Sequence, residues 1–82
     1  MLKTKIRKLI SLQDVSHHTG MSMSSLNYYV NLGLLPVADR QGNRRLFVES
    51  QVFRRLEEIS HLRREGYPLR IIRRQLQEKH SS

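Results

Sequence analysis

Two stretches hold the residues best equipped for chemistry: Ser22-Met23-Ser24-Ser25-Leu26-Asn27-Tyr28-Tyr29-Val30-Asn31, and Gly42-Asn43-Arg44-Arg45-Leu46-Phe47 soon after it. The chemistry on offer is hydrogen bonding and charge pairing rather than bond making. Ser22, Ser24, Ser25, Asn27, Tyr28 and Asn31 supply hydroxyls and amides at helical spacing. Arg40, Arg44 and Arg45 lie within six residues. On a helix, an asparagine can pair with the edge of adenine in the DNA major groove, and small serines allow close approach. The amides that open such a helix also suit a phosphate. Arginines gathered on a tight turn suit phosphates without reading sequence. Both stretches have plainer readings, as a solvated polar face and an ordinary charged hairpin. Their adjacency in a chain of net charge +8 favours duplex DNA.

Other chemistry is poorly provided for. The chain has no cysteine, so disulfides, thiolate metal sites and thiol nucleophiles are ruled out. Carboxylates are few and scattered, and there is no Gly-Lys-Ser phosphate loop. No enzyme activity and no cofactor are expected. His17, His18, His61 and His80 are the remaining metal-ligand candidates. Adjacent histidines on a helix diverge by about 100°, and structural zinc wants four converging ligands. No metal is expected. His17 joins the candidate DNA contacts, as does Arg54 or its neighbour Arg55, because the basic hairpin feeds straight into them.

The elements that must position these residues are legible in part. Eighty-two residues make one domain with a modest core. Eleven of its 15 cations are arginines, the side chain suited to bidentate contacts. Ser11 caps a helix of about two turns with Asp14 in its positive first turn and Leu12 and Val15 inward. Gly20 ends it. Ser22 caps a second helix with Leu26, Tyr29 and Val30 inward, closed by Gly33 and Pro36. This is a helix-turn-helix pattern. Val37-Ala38-Asp39 and Arg45-Leu46-Phe47 flank a turn at Gly42-Asn43, giving a two-stranded wing with Phe47 as its peg into the core. Val52, Leu56, Ile59 and Leu62 set a third helix from about Glu49 to Glu65. Pro68 opens a fourth, with Leu69, Ile72 and Leu76 inward to about Lys79.

Residues 1–10 are read as a separate basic segment, 11–79 as the winged domain and 80–82 as a frayed tail. Leu2, Ile6, Leu9 and Ile10 fall on one helical stripe. That stripe is expected to be a frayed tail, a dimer contact or a membrane-surface helix. No apolar run reaches the roughly 18 residues of a membrane span, and no h-region follows the basic start. A cytoplasmic protein is expected.

Taken in order, Thr19-Gly20-Met21-Ser22, Tyr28-Tyr29, Gly33-Leu34-Leu35-Pro36, Gly42-Asn43-Arg44-Arg45-Leu46-Phe47 and Gly66-Tyr67-Pro68-Leu69 resemble the DNA-binding domain of MerR-type transcriptional regulators. The resemblance covers residues 11–77. The wing hexapeptide is most similar to the branch that includes the glutamine-synthetase repressors of nitrogen control. The resemblance implies a mostly α winged helix-turn-helix fold of four helices. It implies a homodimer on an inverted repeat, transcription regulation with RNA polymerase as a further partner, Tyr28 toward DNA and Tyr29 inward. It aligns Arg45 with the family's wing arginine. Asn27 stands where relatives carry Arg, and Val30 where they carry Glu. Val48 replaces the usual Ser or Thr cap, so the third helix is expected to fray at its start. In the nitrogen-control branch the segment before the first helix helps form the dimer. The rival readings are an excisionase-like architectural DNA-bending factor and a protein-interaction adaptor that ignores DNA.

Overall fold

The computed structural model describes the backbone of residues 7–80 and the side chains of residues 7–78. The order is β1 (Leu9–Ser11), α1 (Leu12–Thr19), α2 (Met23–Asn31), β2 (Asp39–Gln41), β3 (Arg44–Val48), α3 (Glu49–Arg64) and α4 (Leu69–His80). Four helices thus accompany a small antiparallel sheet of order β1-β3-β2, with α1 and α3 packed on it, α2 on α1 and α4 on α3.

The α1 start is a reciprocal cap. The Asp14 N–H donates to Ser11 Oγ at 3.2 Å. The Ser11 N–H and hydroxyl both donate to Asp14 Oδ2 at 3.1 Å. Two amides that would otherwise lack partners at the helix start are thereby satisfied. Between α1 and α2 the corner is pinned by side chains: Ser16 Oγ donates to Met21 O at 2.7 Å, and the Met21 N–H donates to Thr19 Oγ1 at 3.1 Å.

α2 ends in a Schellman closure. The Leu34 N–H donates to Tyr29 O at 2.9 Å and the Gly33 N–H to Val30 O at 3.0 Å. This geometry requires the left-handed backbone that Gly33 adopts, at φ 81°. It turns Leu34 and Leu35 straight into the core, where both are buried. The Leu34 carbonyl then accepts from Arg55 Nη1 at 2.9 Å, tying the link after α2 to α3.

β2 and β3 meet at Gly42, whose φ of 61° supplies the positive φ at the first central position of a two-residue hairpin turn. Pairing runs Asp39 with Leu46, Arg40 with Arg45 and Gln41 with Arg44. On the other side β1 pairs Leu9 with Val48, Ile10 with Phe47 and Ser11 with Leu46. Phe47 is fully buried, as its role of peg requires. It joins Leu12, Val15, Leu26, Val52, Ile59, Ile72 and Leu76 in one continuous core.

At Leu9 and Ile10, β1 corrects the helical stripe expected across residues 2–10. Leu9 and Ile10 alternate sides, as strand residues must. Ile10 is buried against the core and Leu9 is 40% exposed. Ile10 is therefore committed to the domain's own interior and cannot serve a dimer contact. Leu2 and Ile6 lie outside the described residues. At Leu9 and Ile10 the helical phase is not followed, because pairing with β3 offers these residues both hydrogen bonds and a place for Ile10. The wing accordingly has three strands where two were expected.

Val48 makes no side-chain cap for α3. The Glu49 N–H instead donates to the Lys8 carbonyl at 2.8 Å, and Lys8 Nζ lies 3.6 Å from Glu49 Oε2. The segment before β1 thus satisfies the first amide of α3, a different amide from the second and third ones that a cap side chain would serve.

Candidate nucleic-acid interface

A groove of about 450 Å³ runs between the start of α1, the outer face of α2 and the tip of the wing. Ser11, Leu12 and Gln13 form one wall, Met23 and Asn27 of α2 a second, and Asn43, Arg44 and Arg45 the third. Three segments of the chain converge on it, and each owes its position to a feature already described. The reciprocal cap sets α1, the pinned corner sets α2, and Phe47 anchors the wing.

Strand alternation sorts the wing arginines: Arg44 and Arg45, which line the groove, start from opposite faces of β3, and Arg40 lies outside the groove lining. Ile10, Phe47 and Arg45 share one face of the sheet, and Arg40 joins it because it pairs directly with Arg45. That face is apolar where it meets the helices and cationic toward the turn. Like charges placed directly opposite destabilise a strand pair. The Arg40–Arg45 pair is therefore unfavourable in the isolated wing, and an anion beside it would relieve the repulsion. No acidic side chain ion-pairs with Arg40, Arg44 or Arg45 among the described residues.

On α2, Ser24, Asn27, Tyr28 and Asn31 are exposed. No hydrogen bond occupies their side chains among the described residues. Ser22 and Ser25 differ. Ser22 Oγ accepts from the Ser25 N–H and donates to Ser25 Oγ, both at 3.1 Å. Their hydroxyls are engaged in holding the helix start, which narrows the free hydrogen-bonding face to the other four. Tyr28 is 54% exposed while Tyr29 packs against the core.

The remaining candidates stand apart from the groove. His17 is exposed in the last turn of α1, and its neighbour His18 sets its ring edge-on to Phe53 at 5.8 Å. Arg54 is exposed at a second depression, of about 420 Å³, beside Arg7, Lys8 and the start of α3. Arg55, the other cation that follows the wing, is turned inward to the Leu34 carbonyl, with its Nε 3.7 Å from Glu58 Oε1.

Arg44 also acts on the start of α1. The Asp14 carboxyl is held below its ordinary pKa, first by the Ser11 backbone N–H and then by the Ser11 hydroxyl, with smaller help from Arg44 and His18. A carboxylate accepting such bonds favours its charged form.

The match to known families settles what kind of domain presents this groove. The model of the MerR HTH family regulatory proteins matches residues 10–79. The chain belongs to the MerR family. A MerR domain is a DNA-binding transcriptional regulator, and the winged helix-turn-helix seen here agrees with that membership in order and extent. The match is to the family as a whole and does not reach a branch within it. Nothing among the curated proteins or the solved structures matches the chain significantly. None of this MerR domain's described helices is long and apolar enough to cross a membrane.

Gln13, Met23 and Asn43 line the groove of this MerR domain but were not among the residues singled out from sequence. Gln13 follows the cap and its partner Leu12 turns inward, so the capping motif itself could have pointed to it. Met23 sits at the inward helical phase of Leu26 and Val30, which disguises it as core. Asn43 has the type and place of a turn former, which hides its part in the groove.

Proposed function

We propose that this MerR domain regulates transcription by reading duplex DNA with α2 in the major groove and fixing itself on the phosphates with its wing. Asn27 reads an adenine edge, and Ser24, Tyr28 and Asn31 complete the reading face. Ser22 and Ser25 shape the close approach. Arg44 and Arg45 grip the phosphates, with Arg40 beside them and His17 and Arg54 as outlying contacts. The observation that carries this reading is one groove shared by Asn27, Arg44 and Arg45, with the like-charged Arg40 opposite Arg45. A neutral hydrogen-bonding wall beside a cationic one that makes no ion pair among the described residues fits a base edge beside a phosphate.

The domain acts as a homodimer on an inverted repeat, from the cytoplasm, with RNA polymerase as a second partner at the promoter. Among the described residues of the N-terminal segment, Leu9 is the exposed apolar side chain available to the dimer. The test is selection from a random duplex pool at near-physiological salt. Enrichment of an inverted repeat supports the dimer and the base reading together. Enrichment of a single half-site removes the dimer and keeps the reading. No enrichment removes both and brings the protein-adaptor reading forward.

A further inference from the structure

Among the described residues, five large apolar side chains are notably exposed: Leu9, Met23, Tyr28, Val37 and Tyr67. Only Met23 of these lines the groove between α1, α2 and the wing. By helical phase it belongs with Leu26 and Val30, yet Leu26 is fully buried while Met23 remains 38% exposed. It does not pack on the core, as Tyr29 and Val30 do. Its side chain therefore keeps part of its surface open to the groove, where the other apolar lining residue, Leu12, is buried at 7% exposure.

The major-groove edges of the base pairs offer donors, acceptors and a single kind of apolar group, the C5-methyl of thymine. Met23 and Asn27 are four residues apart, so they lie on one face of α2 about 6 Å apart along its axis. The rise per base pair is about 3.4 Å. A helix that sets Asn27 against one base therefore sets Met23 against a base one or two pairs away. Methionine is unbranched and polarizable, and it adapts to an irregular apolar surface.

We infer that Met23 is a specificity-determining residue that packs on a thymine methyl one or two base pairs from the adenine read by Asn27. The inference rests on the proposed placement of α2 in the major groove. It adds an apolar contact to a reading face so far made only of hydrogen bonds. The preferred half-site then contains a thymine at a fixed offset from the adenine, and methyl removal there is felt through Met23.

The experiment uses the full 82-residue chain and the duplex enriched from the random pool. Each thymine of that duplex is replaced singly by deoxyuridine, which removes the methyl and nothing else. For the unsubstituted protein, one position should lose about fourfold in affinity, the scale of one buried methyl. That position should lie one or two pairs from the base whose identity ceases to matter in Asn27→Ala. Met23→Ala should bind the thymine and deoxyuridine duplexes equally at that position, and Met23→Leu should restore most of the difference. Because Met23 is exposed and alanine favours helices, circular dichroism should find all three proteins equally folded.

A flat scan of the unsubstituted protein would overturn the inference and leave base reading by α2 standing. So would a scan that Met23→Ala leaves unchanged, or a loss that Met23→Ala spreads evenly over all duplexes, which is the mark of packing on the sugar-phosphate backbone. A pool that yields no enriched duplex overturns the major-groove reading and this contact with it.

Discussion

From Met23 to Asn31 the second helix carries no charged side chain, whereas the wing opposite it presents Arg40, Arg44 and Arg45. Both border the same groove. The difference separates two tasks that a DNA-binding surface must perform. Neutral amides and hydroxyls gain little from a phosphate field and discriminate among base edges. Cations gain much from it and discriminate little. The two regions also differ in how they are held. α2 is fixed by its cap and by the corner before it, while the wing depends on one aromatic ring and a short sheet.

That dependence gives the largest effect. Phe47→Ala removes the fully buried ring that joins the sheet to the helices. Substitutions of this kind destabilise by about 3–5 kcal/mol. In a domain this small the change should unfold most of the molecule rather than free the wing alone. Chemical denaturation followed by circular dichroism measures it. A loss below about 1 kcal/mol, well short of that range, would mean that the wing is a separate unit and that the contrast between wing and helix is not built on a shared core.

The division of labour itself is tested by a pair of substitutions with crossed outcomes. Asn27→Ala should abolish discrimination at one base pair, worth about 1–3 kcal/mol, and leave the salt slope unaltered. Arg45→Ala should weaken binding to every duplex alike and lower the slope of log K against log salt by about one unit. Binding titrations at several salt concentrations, on the enriched duplex and its single-pair variants, read both. If Arg45→Ala altered base preference, the wing would be reading sequence and the contrast would fail.

Most of the frame was legible from the residues. Ser11 with Asp14, Ser22, Gly33 and Gly42-Asn43 each have a local reason to stand where they do, and each holds the expected position. What misled was periodicity over short spans. Leu9 and Ile10 fit a helical stripe and fold as a strand, because the open edge of β3 is a long-range partner that spacing within the segment cannot reveal. Met23 shares the helical phase of Leu26 and Val30 and yet lines the groove, which phase alone does not reveal. Arg54 and Arg55 read alike as basic residues after the wing. One is exposed and the other is bound to the Leu34 carbonyl. For the site, the polar face and the arginines were legible, and the convergence of α1 upon them was not.

The start of α1 sharpens the comparison from a third side, since it forms a wall of the groove whose Ser11 hydroxyl is engaged in its own helix cap. Ser11→Ala removes the cap and should destabilise the domain by about 1 kcal/mol. The Asp14 carboxyl has a folded pKa below its unfolded one. Its contribution is therefore present above the unfolded pKa and is lost as pH falls through the folded value. Stability measured toward acid should decline less steeply for Asp14→Asn than for the unsubstituted protein. Equal acid slopes would show that the Ser11–Asp14 bonds do not survive in solution.

The smallest effect is the most discriminating, because stability and binding should move in opposite directions. Arg40 and Arg45 face each other across β2 and β3. Arg40→Gln removes one of the two like charges, keeps a long side chain for the strand face, and should stabilise the free domain by about 0.2–1 kcal/mol, the usual range for a cross-strand pair. The same substitution removes a cation from the proposed phosphate grip, so affinity for duplex DNA should fall and the salt slope should drop by about one unit. A gain in stability with unchanged binding would make Arg40 a bystander and leave Arg44 and Arg45 to hold the backbone. A loss of stability would mean that Arg40 is already neutralised by a group in the free protein. The wing would then not be waiting for an anion, and its contrast with the uncharged helix would lose its physical basis.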